Sequence, residues 1–114
     1  MYSDIDDARA HHDALRQIAE RHAGGAADYR ALRRVLELCR CAAAAIDDRY
    51  CRDKLRLVED FSAEMLSQGE PRTEFLKQQI LNALELFRSR LYSLEMLRRS
   101  AARSLGSMEP LRTV

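Results

Sequence analysis

The chain has no tryptophan, two prolines and four glycines in 114 residues. So few turn formers exclude a many-stranded β-protein, which needs a turn signal roughly every ten residues. They exclude a low-complexity or collagen-like chain as well. No uncharged apolar run is longer than residues 41–46, far short of the roughly 20 residues that span a bilayer, so no membrane association is expected. The N-terminus, Met1-Tyr2-Ser3-Asp4-Ile5-Asp6-Asp7, is acidic and polar where a secretory signal is basic and then apolar. Three cysteines are an odd number and sit inside helical pattern, so reduced thiols in the cytoplasm are expected rather than a disulfide framework. Charge of one sign is lacking too. A net charge of +1, with 32% of residues charged, selects no class of partner by bulk electrostatics.

What remains is rich in Ala, Leu, Arg and Glu, and its apolar residues recur with helical period. Leu76, Ile80, Ala83, Phe87, Leu91, Leu94, Leu97, Ala101 and Leu105 take eight steps over 29 residues, about 3.6 per step, the period of a helix with one buried stripe. The chain reads as a single all-α domain over residues 1–114, a helical bundle of three helices. The first spans about Asp4 to His22, with Ser3 as N-cap, Asp4, Asp6 and Asp7 in its first turn and the Gly24-Gly25 pair as its stop. Its buried stripe is Ile5, Ala8, His11 or His12, Leu15, Ile18 and His22.

Asp28 offers the next N-cap. The second predicted helix then runs from about Tyr29 to Gln68 on the stripe Leu32, Leu36, Cys39, Ala43, Ile46, Tyr50, Leu57, Phe61 and Met65. A break at Asp47 is the alternative and would fold the chain into a four-helix monomer, but no Gly or Pro calls for one. Gly69 and Pro71 mark a tight connection to the third predicted helix, about 34 residues long, closed by Gly106 and Pro110. Two long helices joined so closely form an antiparallel hairpin in which facing residue numbers sum to about 140. Cys39 then faces Ala101 and Ala43 faces Leu97. The small residues of 39–45 mark where three helices approach closely, which explains the cysteines as small apolar side chains.

His11 and His22 share a face, but eleven residues set them about 16 Å apart. Cys39 and Cys41 point to opposite sides of a helix, so no set of zinc ligands converges. Leu32-Arg33-Arg34-Val35 followed by Asp48-Arg49-Tyr50-Cys51 resembles the second-helix region of the small helical copper- and nickel-responsive repressors. In that family the cysteine is a metal ligand, completed by a His and another ligand one helix-length downstream. This chain has no His after His22 and no Cys after Cys51, so the resemblance implies no complete site. The adjacent carboxylates Asp6-Asp7 and Asp47-Asp48 diverge by about 100° on a helix. There is no Gly-rich phosphate loop, and no serine has a nearby His to activate it. A protein that is not an enzyme and holds no cofactor or metal is expected.

Two surfaces stand out instead. Folded as a hairpin, the Gly24-Gly25 end gathers ten arginines against five carboxylates, and Arg30, Arg33, Arg34, Arg40, Arg98, Arg99 and Arg103 form a basic pole that could dock a partner. Arg outnumbers Lys by 17 to 2, a bias that genome composition alone produces, and cations are favoured at a helix C-terminus in any case. At the other end the short first helix leaves the hairpin uncovered along Leu57, Phe61, Met65, Phe75, Leu76, Ile80, Leu84 and Phe87. Two helices cannot bury so wide an apolar face, so a homodimer is expected there. The functional expectation is a small cytoplasmic protein that acts by association with an unidentified protein partner, as adaptor, chaperone-like partner or regulatory subunit. The rival is a dimeric nucleic-acid-binding regulator using the basic pole.

Overall fold

The computed structural model describes residues 3–67 and 72–112, with side chains described as far as residue 104. Four α-helices follow one another: α1 (Ser3–Arg21), α2 (Tyr29–Ala45), α3 (Arg49–Ser67) and α4 (Thr73–Arg112). No strand occurs among the described residues, and none of the described helices is long and apolar enough to cross a membrane. The all-α bundle expected from the periodicity is present.

Helix α1 begins and ends within a residue of the expected bounds. The chain leaves it through Gly24 and Gly25, whose φ values of 89° and 91° are open to glycine and strained for other residues. A side chain at position 24 would also stand 3.2 Å from Thr73 Oγ1, so this turn is pressed against the start of α4. Asp28 caps α2 as its position suggests, its Oδ1 accepting the Ala31 N–H at 3.0 Å.

The long second helix is corrected to two helices. Helix α2 stops at Ala45, Ile46 is extended with φ −124° and ψ 111°, and Asp48 caps the new helix by accepting the Cys51 N–H at 3.0 Å. An aspartate that satisfies a first-turn N–H starts a helix without help from Gly or Pro. Arg90 of α4 grips the same carboxylate, with Nε 3.2 Å from Oδ2 and Nη2 2.9 Å from Oδ1. The turn is thereby tied to the far side of the bundle.

Reversal at residues 46–48 makes a ring in which α1 and α3 each pack between α2 and α4. Alternate helices run up and down, so α2 and α4 are parallel. The antiparallel register near a sum of 140 holds between α3 and α4, where Asp48 meets Arg90 and Glu64 meets Arg72. It does not join Cys39 to Ala101 or Ala43 to Leu97; Leu97 and Ala101 are exposed. Inside the ring lie Ile5, Leu15, Leu38, Leu55, Leu76 and Phe87, each at most 3% exposed. Ala8 and Ala42 are small buried side chains of α1 and α2, and buried Cys39 lies on the α3 side of α2, lining one groove with Glu59. His12, also buried, lies with its ring 6.3 Å from that of Phe87, its Nδ1 3.0 Å from Asp13 Oδ1.

Helix α4 is longer than expected, at 40 residues. It continues past Gly106 and Pro110, which lower helix propensity by about 1 and about 3 kcal/mol without forbidding the conformation. Gly69 and Pro71, the expected connection signals, lie outside the described residues. At 1.5 Å per residue α4 spans about 60 Å, which sets the long axis of a molecule measuring 69 × 21 × 20 Å. Arg9 of α1 donates to Glu95 at 2.8 Å, and Arg98 holds the Asp4 carboxylate with two bonds of 2.8 Å. Beyond Arg98 the remaining third of α4 runs past the other helices for about 20 Å.

Candidate docking face

The candidate sites are displaced by the fold-back of α2. Arg30, Arg33 and Arg34 stand at the start of α2, beside the end of α3, where Asp28 N–H donates to Leu66 O at 2.7 Å and Tyr29 Oη to Ser67 O at 2.9 Å. Arg98, Arg99 and Arg103 lie towards the opposite end, where Arg98 meets Asp4 at the start of α1. About 25 residues of α4, close to 38 Å, separate the two groups. Arg40 sits midway, in an open groove of about 570 Å³ between α2 and α3 that also holds Arg33, Glu37 and Glu59. Several of these arginines are engaged within the molecule: Arg34 lies 3.6 Å from Glu37, Arg98 holds Asp4 and Arg99 lies 3.3 Å from Glu95. The single basic pole is not assembled, because parallel α2 and α4 cannot bring their opposite ends together.

The apolar face expected to meet a second copy is also redistributed. Met65, Leu76, Ile80, Leu84 and Phe87 are buried inside this chain. With α2 turned back, α1 and α2 supply the cover that a partner had been invoked to supply. Phe61 is half-buried, while Leu57 and Phe75 remain exposed.

The cysteines are placed by packing. Cys39 and Cys51 are buried and Cys41 is half-buried, and none forms a disulfide. Burial pushes the thiols of Cys39 and Cys51 up to about 12, so neither offers a thiolate nucleophile at neutral pH. Among the described residues no three of His, Cys, Asp and Glu converge as metal ligands.

The surface that does assemble lies along α3 and α4. Phe75, Leu86 and Leu97 are 52%, 44% and 61% exposed. They are spaced by eleven residues, three full turns, and so lie on one line of α4 outside its buried stripe. Gln79, Asn82, Ser89, Ser93, Ser100 and Ser104 fill the positions between and beyond them at steps of three and four. Nine charged residues occur between positions 73 and 104, and all avoid this stripe. Beside it, Tyr50 and Leu57 of α3 are exposed at a seven-residue spacing, and Tyr50 shares a groove with Leu86, Ser89, Arg90 and Ser93. Arg72 lies over the Phe75 ring, 5.4 Å from its centre, and reaches Glu64 of α3 at 3.4 Å, so one end of the face is fixed to both helices.

The helical period of the sequence gives α4 one stripe, with Leu97 in it. The second stripe was recorded in the eleven-residue recurrence of Phe75, Leu86 and Leu97 and in the absence of charge between them. One apolar stripe already suffices to place a helix in a bundle, so the period alone does not separate the second. No protein-family model, curated protein or solved structure significantly matches this chain.

Proposed function

We propose that this protein works in the cytoplasm by association, as an adaptor, chaperone-like partner or regulatory subunit, and that the α3/α4 face is its docking surface. The observation that carries this reading is the charge-free outer stripe of α4. The outward face of a bundle helix is ordinarily its charged face, and in a chain with 32% charged residues a run of nine uncharged outward positions is unexpected for a surface that only meets water. Covering Phe75, Leu86 and Leu97 with another polypeptide stabilises a complex by about 25 cal/mol per Å² of apolar surface removed from water. Gln and Ser between them supply hydrogen bonds without the desolvation cost of a buried charge. Division of the arginines between two ends weakens the nucleic-acid reading, which needs a continuous basic patch.

The test is paired capture from the native host with the wild-type chain and with Phe75→Glu/Leu86→Glu as bait. A protein held by the first and lost with the second supports the reading. Identical captures by both, with the variant's helical spectrum unchanged, overturn it.

A further inference from the structure

We infer that the α3/α4 face receives a second copy of this chain, with the two α4 helices antiparallel about a two-fold axis at Leu86. This deepens the docking reading and rests on it. Phe75 and Leu97 stand eleven residues to either side of Leu86, so a two-fold at Leu86 sets Leu86 against its own copy. Each Phe75 then meets the Leu97 of the other chain. The same operation sets Gln79 against Ser93 and Asn82 beside Ser89. A long amide opposite a small hydroxyl at each pair lets the two helices approach closely. A C2 interface requires this property, that one patch be complementary to itself.

Charge decides the direction. Glu74, Glu85, Arg88 and Arg99 lie along one flank of the stripe, acidic before Leu86 and basic after it. Their side chains are 87%, 60%, 60% and 51% exposed. Among the described residues their ion pairs lie within α4: Lys77 to Glu74 at 3.9 Å, Arg88 to Glu85 at 3.8 Å and Arg99 to Glu95 at 3.3 Å, and Glu85 also faces Arg16 of α1 across a shallow pocket. The antiparallel two-fold brings Glu74 beside Arg99 and Glu85 beside Arg88, twice each. A parallel two-fold would instead set this flank of the two copies on opposite sides of the axis, where Glu74 and Glu85 find neither Arg99 nor Arg88 of the other chain. Only the antiparallel arrangement is attractive.

The area is also that of a dimer. From Phe75 to Leu97 the stripe is about 33 Å long at 1.5 Å per residue, and the bundle is 20 to 21 Å wide. The face therefore offers roughly 660 Å² per copy, or about 1,300 Å² between two, within the range of specific interfaces.

Light scattering on the purified full-length chain across the micromolar range tests the inference. The expected mass is about 26 kDa, twice the 13.1 kDa of one chain. Leu86→Glu, which puts two carboxylates on the axis, should return the mass to that of one chain without changing the helical circular dichroism. Leu36→Glu, on the exposed side of α2, should leave the dimer intact. Glu74→Arg/Glu85→Arg should weaken dimerisation by at least about tenfold, and adding Arg88→Glu/Arg99→Glu in the same chain should restore it. A monomeric wild type, a dimer that survives Leu86→Glu, or a fourfold swap that does not restore pairing would each overturn the proposal. These measurements use the purified chain alone. A monomeric result with differential capture by the Phe75→Glu/Leu86→Glu bait would remove the second copy and keep the docking face.

Discussion

Asp48 carries three tasks with one carboxylate. It ends the extended step at Ile46, caps α3 through the Cys51 N–H, and accepts the two-pronged bond from Arg90. The Arg90 guanidinium, helped by the Cys51 N–H, holds the carboxyl well down, from the ordinary 3.8 to about 2. The Asp48 side chain is only 14% exposed, but that of Arg90 is 35% exposed, so solvent screening leaves about 1–2 kcal/mol of stability in the pair. Its folded pKa lies below its unfolded one, so this contribution is complete above about pH 4 and disappears as pH falls towards 2. Asp48→Asn, which keeps the cap and loses the charge, should cost about 1–2 kcal/mol in urea unfolding at neutral pH and close to nothing at pH 2. Asp48→Ala, which loses both, should cost about 2–3 kcal/mol.

The thiols supply a second test at this scale. Cys39 and Cys51 are buried, with pKa values pushed to about 12, and Cys41 is half-buried. A thiol reagent at neutral pH should therefore modify Cys41 in the folded chain and reach all three only after denaturation. Cys39→Ser should destabilise by about 1 kcal/mol or more, because a hydroxyl replaces a small apolar group in the core. Rapid labelling of Cys39 in the native protein would contradict its burial in the core.

At the scale of the helix, α4 has two faces that sequence alone did not separate. Phe87 is fully buried and Phe75 is half exposed on the same helix. Phe87→Ala should cost about 3–5 kcal/mol through the cavity it leaves. Phe75→Ala should cost less than about 1 kcal/mol in the isolated chain, since an exposed side chain leaves no cavity. Comparable losses from the two substitutions would refute the assignment of faces. Helix α1, the Asp28 cap and the Gly24-Gly25 turn were legible in the sequence, because each rests on local chemistry acting within a few residues. The break at Ile46 was not. Its signal, an aspartate three residues before Cys51, is a common pair, and the apolar phase runs through it undisturbed. That one reversal decides which end of α4 the arginines of α2 meet and which side chains lie inside the ring, so the basic pole and much of the expected dimer face moved with it. Once the ring is closed, Leu57, Phe61 and Phe75 are what is left of that face.

The whole molecule is elongated. Its Cα radius of gyration is 17.9 Å, against about 13 Å for a compact domain of this length, because α4 outruns its neighbours. Residues 97–104 are all exposed, and a short helical extension without tertiary cover is marginal in water. Amide hydrogen exchange should therefore be fastest along α4 beyond Arg98 and slowest between Leu76 and Leu91. Uniform protection along α4 in a dilute sample would show that the extension is covered.

The ring also has one unequal seam. Helices α1 to α2, α2 to α3 and α3 to α4 each join chain neighbours, so those contacts form across short connections at small entropic cost. Only α1 against α4 closes a long loop, and that seam carries Arg9 with Glu95 and Arg98 with Asp4. Arg98 holds the Asp4 carboxyl down to about 2, and Arg9 lowers that of Glu95. As acid neutralises those carboxylates, the seam that is costliest to close also loses its ion pairs. The molecule should come apart from there, with α1 peeling away while α2, α3 and α4 stay together as a three-helix remnant.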